Sequence, residues 1–111
     1  MAADMHLKGS EFQEKVLESS KTQPVVVDFW AEWCGPCRAM EPVYEEVASQ
    51  YGGRAALYKL NVDEEGAIAQ QYGVMSIPTI MYFKDGRPVG QSVGLIDKSE
   101  LTAHVDKLLA A

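Results

Sequence analysis

Cys34 and Cys37 are the only cysteines in the chain, and only Gly35 and Pro36 separate them. A loop that short constrains little of an unfolded chain, so the pair is a poor structural staple. A structural zinc site wants four Cys or His ligands, and the two histidines, His6 and His104, stand near opposite ends without ligand spacing. The pair therefore reads as reactive. An apolar run, Val25-Val26-Val27-Asp28-Phe29-Trp30-Ala31, precedes it and an amphipathic pattern follows, which places Cys34 at a strand-to-helix junction. There the unpaired amides and the positive end of the helix dipole stabilise a thiolate. Cys37 lies one helical step further on, where its sulfur can meet that of Cys34. Gly35 leaves room for a partner chain, and Pro36 presets the first helical turn with no amide to leave unpaired. Such a pair cycles between dithiol and disulfide. Cys34 attacks a disulfide sulfur to give a mixed disulfide, and Cys37 then attacks Cys34 and releases the reduced partner.

Asp28 interrupts the apolar run. A carboxylate in a strand covered on both faces is costly unless it is neutral or paired. One reading is a strand-edge residue facing water. The other is a buried acid behind the sulfurs, with a raised pKa that lets it take the proton of Cys37. Trp30 reads as packing, and Trp33 as a partly exposed contact surface. His6 and His104 read as surface residues, and the remaining acidic residues as solvated helix faces.

The surrounding elements follow from pattern. Ser10 and Gln13 have the form of a capping box, opening a helix to about residue 19 that carries Phe12 and Val16 on one face. The run at 25–31 suits a central strand. Met40, Val43, Tyr44, Val47, Ala48 and Tyr51 form a helical stripe closed by Gly52-Gly53, with a kink expected at Pro42. Residues 57–62 read as a strand, and Asp63 as the cap of a short helix through Tyr72, closed by Gly73. Residues 79–83 and 89–93 flank Asp85-Gly86, a hairpin signal. Asp97 and Glu100 open a last helix with Leu101, Val105, Leu108 and Leu109 on one face. With a possible short strand at 5–8, the expectation is an α/β fold: a central mixed sheet of about five strands flanked by about four helices.

The chain has 111 residues, a size that predicts a single domain spanning 1–111. Ten Lys and Arg against 16 Asp and Glu give a net charge of −6, unsuited to nucleic acid. The longest apolar run is too short to cross a bilayer. Met1-Ala2-Ala3-Asp4-Met5-His6 has neither a basic nor an apolar stretch, so no secretory signal is expected and the cytoplasm is the expected location. A monomer without bound metal is expected.

Several stretches carry a family resemblance. They are Val27-Asp28-Phe29-Trp30-Ala31-Glu32-Trp33-Cys34-Gly35-Pro36-Cys37-Arg38, Lys59-Leu60-Asn61-Val62-Asp63, Tyr72-Gly73-Val74-Met75-Ser76-Ile77-Pro78-Thr79, Phe83-Lys84-Asp85-Gly86 and Val93-Gly94. Over nearly its whole length the chain resembles the thioredoxin family. The resemblance implies a thioredoxin-like fold and a protein-disulfide reductase with Cys34 as attacking and Cys37 as resolving thiol. No cofactor would be bound. A flavoprotein thioredoxin reductase would restore the dithiol with electrons from NADPH. Asp28 matches the family's proton-accepting acid and Lys59 its partner lysine, although a solvent-facing strand lysine is equally compatible with the pattern. The resemblance also implies a cis Ile77-Pro78 bond facing the disulfide, cheap only before proline. Trp33, Gly35, Pro36, Ile77, Pro78, Val93 and Gly94 would make a small apolar surface that docks extended peptide. Arg38, Met75 and Leu95 depart from or vary within the family pattern and bear on partner preference. Other readings stay open: an oxidant or isomerase on the same fold, a redox-independent protein-binding module using the same surface, and a metal or iron–sulfur site completed by a second chain.

Overall fold

The computed structural model of the chain describes residues 5–111. The reading of the first six residues as unlike a leader falls mostly on positions 1–4, outside the described residues. The apolar run folds as β1 (Val25–Trp30), buried along its whole length at the centre of a four-stranded sheet. On one side it pairs in parallel with β2 (Ala56–Asn61); on the other it pairs antiparallel with β3 (Thr79–Lys84). β3 turns back into the edge strand β4 (Arg87–Val93), giving the order β2-β1-β3-β4. The hairpin tip is Asp85 and Gly86, with φ of 57° and 85°, as the Asp-Gly signal requires.

Helices cover both faces. α1 (Gly35–Gln50) and α3 (Lys98–Ala110) lie on one, where Val26, Leu57, Ile80 and Tyr82 meet Met40, Tyr44, Val47, Leu101 and Val105. The other carries residues 9–21 and α2 (Gly66–Gln71), where Val25, Val27, Phe29, Leu60 and Phe83 meet Phe12, Val16 and Ala69. Successive strand side chains point to opposite faces, so a strand with two cores has to be apolar at nearly every position. The side chain of Asp97 accepts the Glu100 N–H at 2.9 Å and so caps α3.

Four local expectations need correction. The strand at 5–8 is reduced to one parallel bridge, His6 to Lys59, held by Leu7 N–H to Lys59 O at 2.8 Å and Lys59 N–H to Met5 O at 2.7 Å. It stops there because the chain turns helical at Gly9. The following segment is a 3₁₀ turn (Gly9–Glu11), a π-helical stretch (Gln13–Glu18) and a second 3₁₀ turn (Ser19–Lys21) rather than one α-helix. Its cap lies at Lys8 and not at Ser10, because the Glu11 carboxylate accepts the Lys8 N–H at 2.9 Å. Asp63 does not cap α2. The Asn61 side chain accepts the N–H groups of Asp63 at 2.8 Å and Glu64 at 3.2 Å, and that turn delays the helix to Gly66.

Candidate functional site

β1 ends where α1 begins, and the redox pair sits in that corner. Cys34 is the N-cap of α1 and is joined to Cys37 by a disulfide, with Cα atoms 5.3 Å apart. The Cys37 N–H donates to Cys34 Sγ at 3.2 Å, so one of the unpaired amides of the first turn points at the sulfur. Pro36 occupies the first turn without an amide to satisfy. Cys34 is 4 % exposed and Cys37 1 %, so in the disulfide form both are shielded, packed with Trp30, Ala31 and Ile77. A Cβ built on Gly35 would meet nothing within 4 Å, so the space beside this residue is open.

A second loop closes on the pair. The Ile77-Pro78 bond is cis, and Ile77 packs against the cysteine cluster. Thr79 Oγ1 donates to Ser76 O at 2.6 Å, and Gly94 N–H donates to Pro78 O at 2.8 Å, which brings Val93 and Gly94 beside Pro78. Trp33 is 70 % exposed, and its Nε1–H donates to Asp63 Oδ2 at 2.8 Å, which fixes the indole over the loop before α2. Between Trp33, Val74, Met75 and Ile77 runs a shallow, mostly apolar groove of about 350 Å³. Met75 is 94 % exposed there, and Val93 and Leu95 add further exposed apolar surface nearby. All seven residues expected for the docking surface thus lie around the disulfide or beside Pro78.

Asp28 lies on β1, two residues before Trp30. It is fully buried, and neither carboxyl oxygen has a hydrogen-bond partner. The strand-edge reading is thereby excluded. Burial pushes the carboxyl up to about 7, with Lys59 pulling it down and Glu41 pushing it further up. Lys59 stands directly across from Asp28 in the β1–β2 register and is 2 % exposed, so it does not face solvent. Its ammonium lies 4.3 Å from the centre of the Trp30 ring and donates to Glu41 Oε2 at 2.6 Å. Hydrogen bonding to Lys59 in turn holds the Glu41 carboxyl below the usual carboxylate range.

Two residues of the site escaped the sequence reading. Glu41 was expected on a solvated helix face, and instead its carboxylate anchors a buried lysine. Asp63 was expected to cap a helix, and instead it orients Trp33. No pattern along the chain marks either, because each partner is far away in sequence. His6 is exposed as expected, and His104 is half-buried, stacked on Tyr82 at 4.8 Å.

A family model described as Thioredoxin matches residues 4–107. The chain belongs to the thioredoxin family. It is 46 % identical over 109 residues to thioredoxin 1 of Nostoc sp., covering 98 % of this chain and all of that one. It is 51 % identical over 98 residues to thioredoxin 1 of Synechococcus elongatus, covering 88 % of this chain and 90 % of that one. It is also 48 % identical over 101 residues to the M-type chloroplastic thioredoxin of Spinacia oleracea. That match covers 91 % of this chain, which spans about half, 55 %, of the spinach protein. As a thioredoxin-family thiol–disulfide oxidoreductase, the chain carries its redox-active disulfide at Cys34 and Cys37. Among the described residues, no helix is long and apolar enough to cross a membrane.

Proposed function

We propose that the chain works as a reductant of protein disulfides, cycling between the disulfide described above and the dithiol. The observation that carries the reading is the placement of Cys34: an N-cap residue, its sulfur bonded to the Cys37 amide, beside an open Gly35. In the dithiol, Cys34 attacks one sulfur of a substrate disulfide and displaces the other as a thiolate. Cys37 passes its proton to the Asp28 carboxylate and attacks Cys34 Sγ. The substrate leaves as a dithiol, and two electrons have passed to it. Asp28 suits that role because burial holds its proton affinity near neutrality, so it can both accept and return the proton. Lys59 tempers that affinity from the neighbouring strand.

Trp33, Gly35, Pro36, Ile77, Pro78, Val93 and Gly94 would receive an extended peptide carrying the disulfide, with backbone pairing beside Pro78 and few side-chain demands. The electron source would be NADPH through a flavoprotein thioredoxin reductase. The partners would be that reductase and disulfide-bearing proteins, and the cytoplasm, a reducing compartment, suits the task. We further propose that residues 1–111 act as one domain and one monomer.

Insulin reduction coupled to a thioredoxin reductase and NADPH tests the activity. We expect turnover with the parent, and a Cys37→Ser variant that stalls as a mixed disulfide through Cys34. Complexes trapped instead through position 37 in a Cys34→Ser variant would reverse the roles. Absence of NADPH oxidation with several reductases would overturn the reductase reading.

A further inference from the structure

Asp28 and Lys59 face each other across two paired strands, yet they share no hydrogen bond. The Lys59 ammonium instead reaches a third residue, Glu41 on α1, at 2.6 Å. Two carboxyl groups thus compete for one buried cation. Two carboxylates and one ammonium would leave one negative charge uncompensated, and a carboxyl cut off from water is then driven to hold a proton. Position decides which. Glu41 is 39 % exposed, takes the ammonium hydrogen bond, and borders a polar cleft of about 440 Å³. Asp28 has neither water access nor a donor.

We propose that Glu41 is a positioning residue of the redox centre: it anchors the Lys59 ammonium, withholds it from Asp28, and thereby sets the pH at which Asp28 takes up and releases its proton. Other groups around Asp28 have partners of their own or line the cleft. From α1, the Tyr44 hydroxyl bonds to the carbonyl oxygens of Val26 and Tyr58, and Arg38 borders the cleft. From β3, Ile80 stands opposite Asp28, and the Tyr82 hydroxyl pairs with Ser92. His6, before β1, and Glu32 and Glu64 lie on the cleft wall. Cys37 titrates only in the dithiol.

The effect on catalysis rests on the reading of Asp28 as proton acceptor; the effect on its titration does not. The first measurement is therefore a ¹³C NMR titration of the Asp28 carboxyl in the disulfide form, where no cysteine titrates. In Glu41→Ala the freed ammonium turns toward Asp28, and the midpoint falls by about one pH unit. In Glu41→Gln it falls less, because the amide oxygen still accepts from Lys59. In a Lys59→Met background, Glu41→Ala moves the midpoint less than half as far. An unmoved or rising midpoint in Glu41→Ala overturns the proposal. So does an equal fall with and without Lys59, because Glu41 would then act by its own charge and not as an anchor. The second measurement is the pH profile of mixed-disulfide resolution, whose acidic limb moves down with the Asp28 midpoint. A fixed profile beside a moving titration removes Asp28 as proton acceptor and leaves the hold of Glu41 on Lys59 standing.

Discussion

Asp28 destabilises the fold it serves, by an amount that depends on pH. Burial raises its pKa from the ordinary 3.8 to about 7 in the folded chain. Between those values the folded chain holds a proton that the unfolded chain has lost, so stability falls as pH rises through this window. Below it both states are protonated and the penalty vanishes; above it the penalty is complete. At about 1.4 kcal/mol per pH unit, the ceiling is about 4 kcal/mol. Asp28→Ala removes the penalty. We expect the variant to match the parent near pH 3.5 and to exceed it by roughly 2–4 kcal/mol at pH 8, read from urea midpoints across that range. Equal stability at both ends would mean that Asp28 is ionised at little cost in the fold. Any gain should come with slower resolution of the mixed disulfide, because Cys37 loses its acceptor.

At the scale of elements, the β3–β4 hairpin is tied to the N-terminal helical segment through one buried serine. The Gly86 N–H donates to Ser20 Oγ at 2.8 Å, and the Asp85 N–H donates to Ser20 O at 2.8 Å. Ser20→Ala strands the Gly86 amide, and an unpaired polar group in such a site costs about 1–3 kcal/mol. A loss of that size in chemical denaturation, with faster hydrogen exchange at Gly86, is the expected outcome; an unchanged midpoint would show that water replaces the hydroxyl. Ser20 also shows where sequence reading stops. The apolar run of β1, the stripe of α1 and the Asp-Gly turn were legible, because each is a repeat or a local conformational demand. The redox motif was legible too, since both sulfurs and the Gly-Pro between them lie within four consecutive residues. Contacts such as Lys59 with Glu41, 18 residues apart, or Trp33 with Asp63, 30 apart, leave no periodic trace. The cap at Lys8 was misplaced because Ser10 and Gln13 offered the commoner signature, while Glu11 made the bond. The π-helical stretch at Gln13–Glu18 has no marker in a hydrophobic pattern that suits an α-helix equally well.

The whole molecule is two cores sharing one sheet: β1, β2 and β3 each place residues in both, and β1 lies between the other two. Val26 packs under α1 and α3, while its neighbour Val27 packs under the N-terminal segment and α2. The cysteine cluster sits at the end of β1 and includes Trp30, its last residue. Neither core can therefore open without disturbing β1, and β1 cannot move without releasing the redox corner. This shared dependence predicts one cooperative transition for the chain. Val26→Ala and Val27→Ala should each lower stability by roughly 2 kcal/mol, since each leaves a cavity in a close-packed core. In both variants, far-ultraviolet circular dichroism and tryptophan fluorescence should report the same urea midpoint. The alternative is a chain whose N-terminal core melts by itself. Then Val27→Ala would split the two probes, with helix signal lost while the environment of Trp30 persists. Coincident midpoints in Val26→Ala and separated ones in Val27→Ala would place the redox corner wholly on the α1–α3 side and end the single-unit reading.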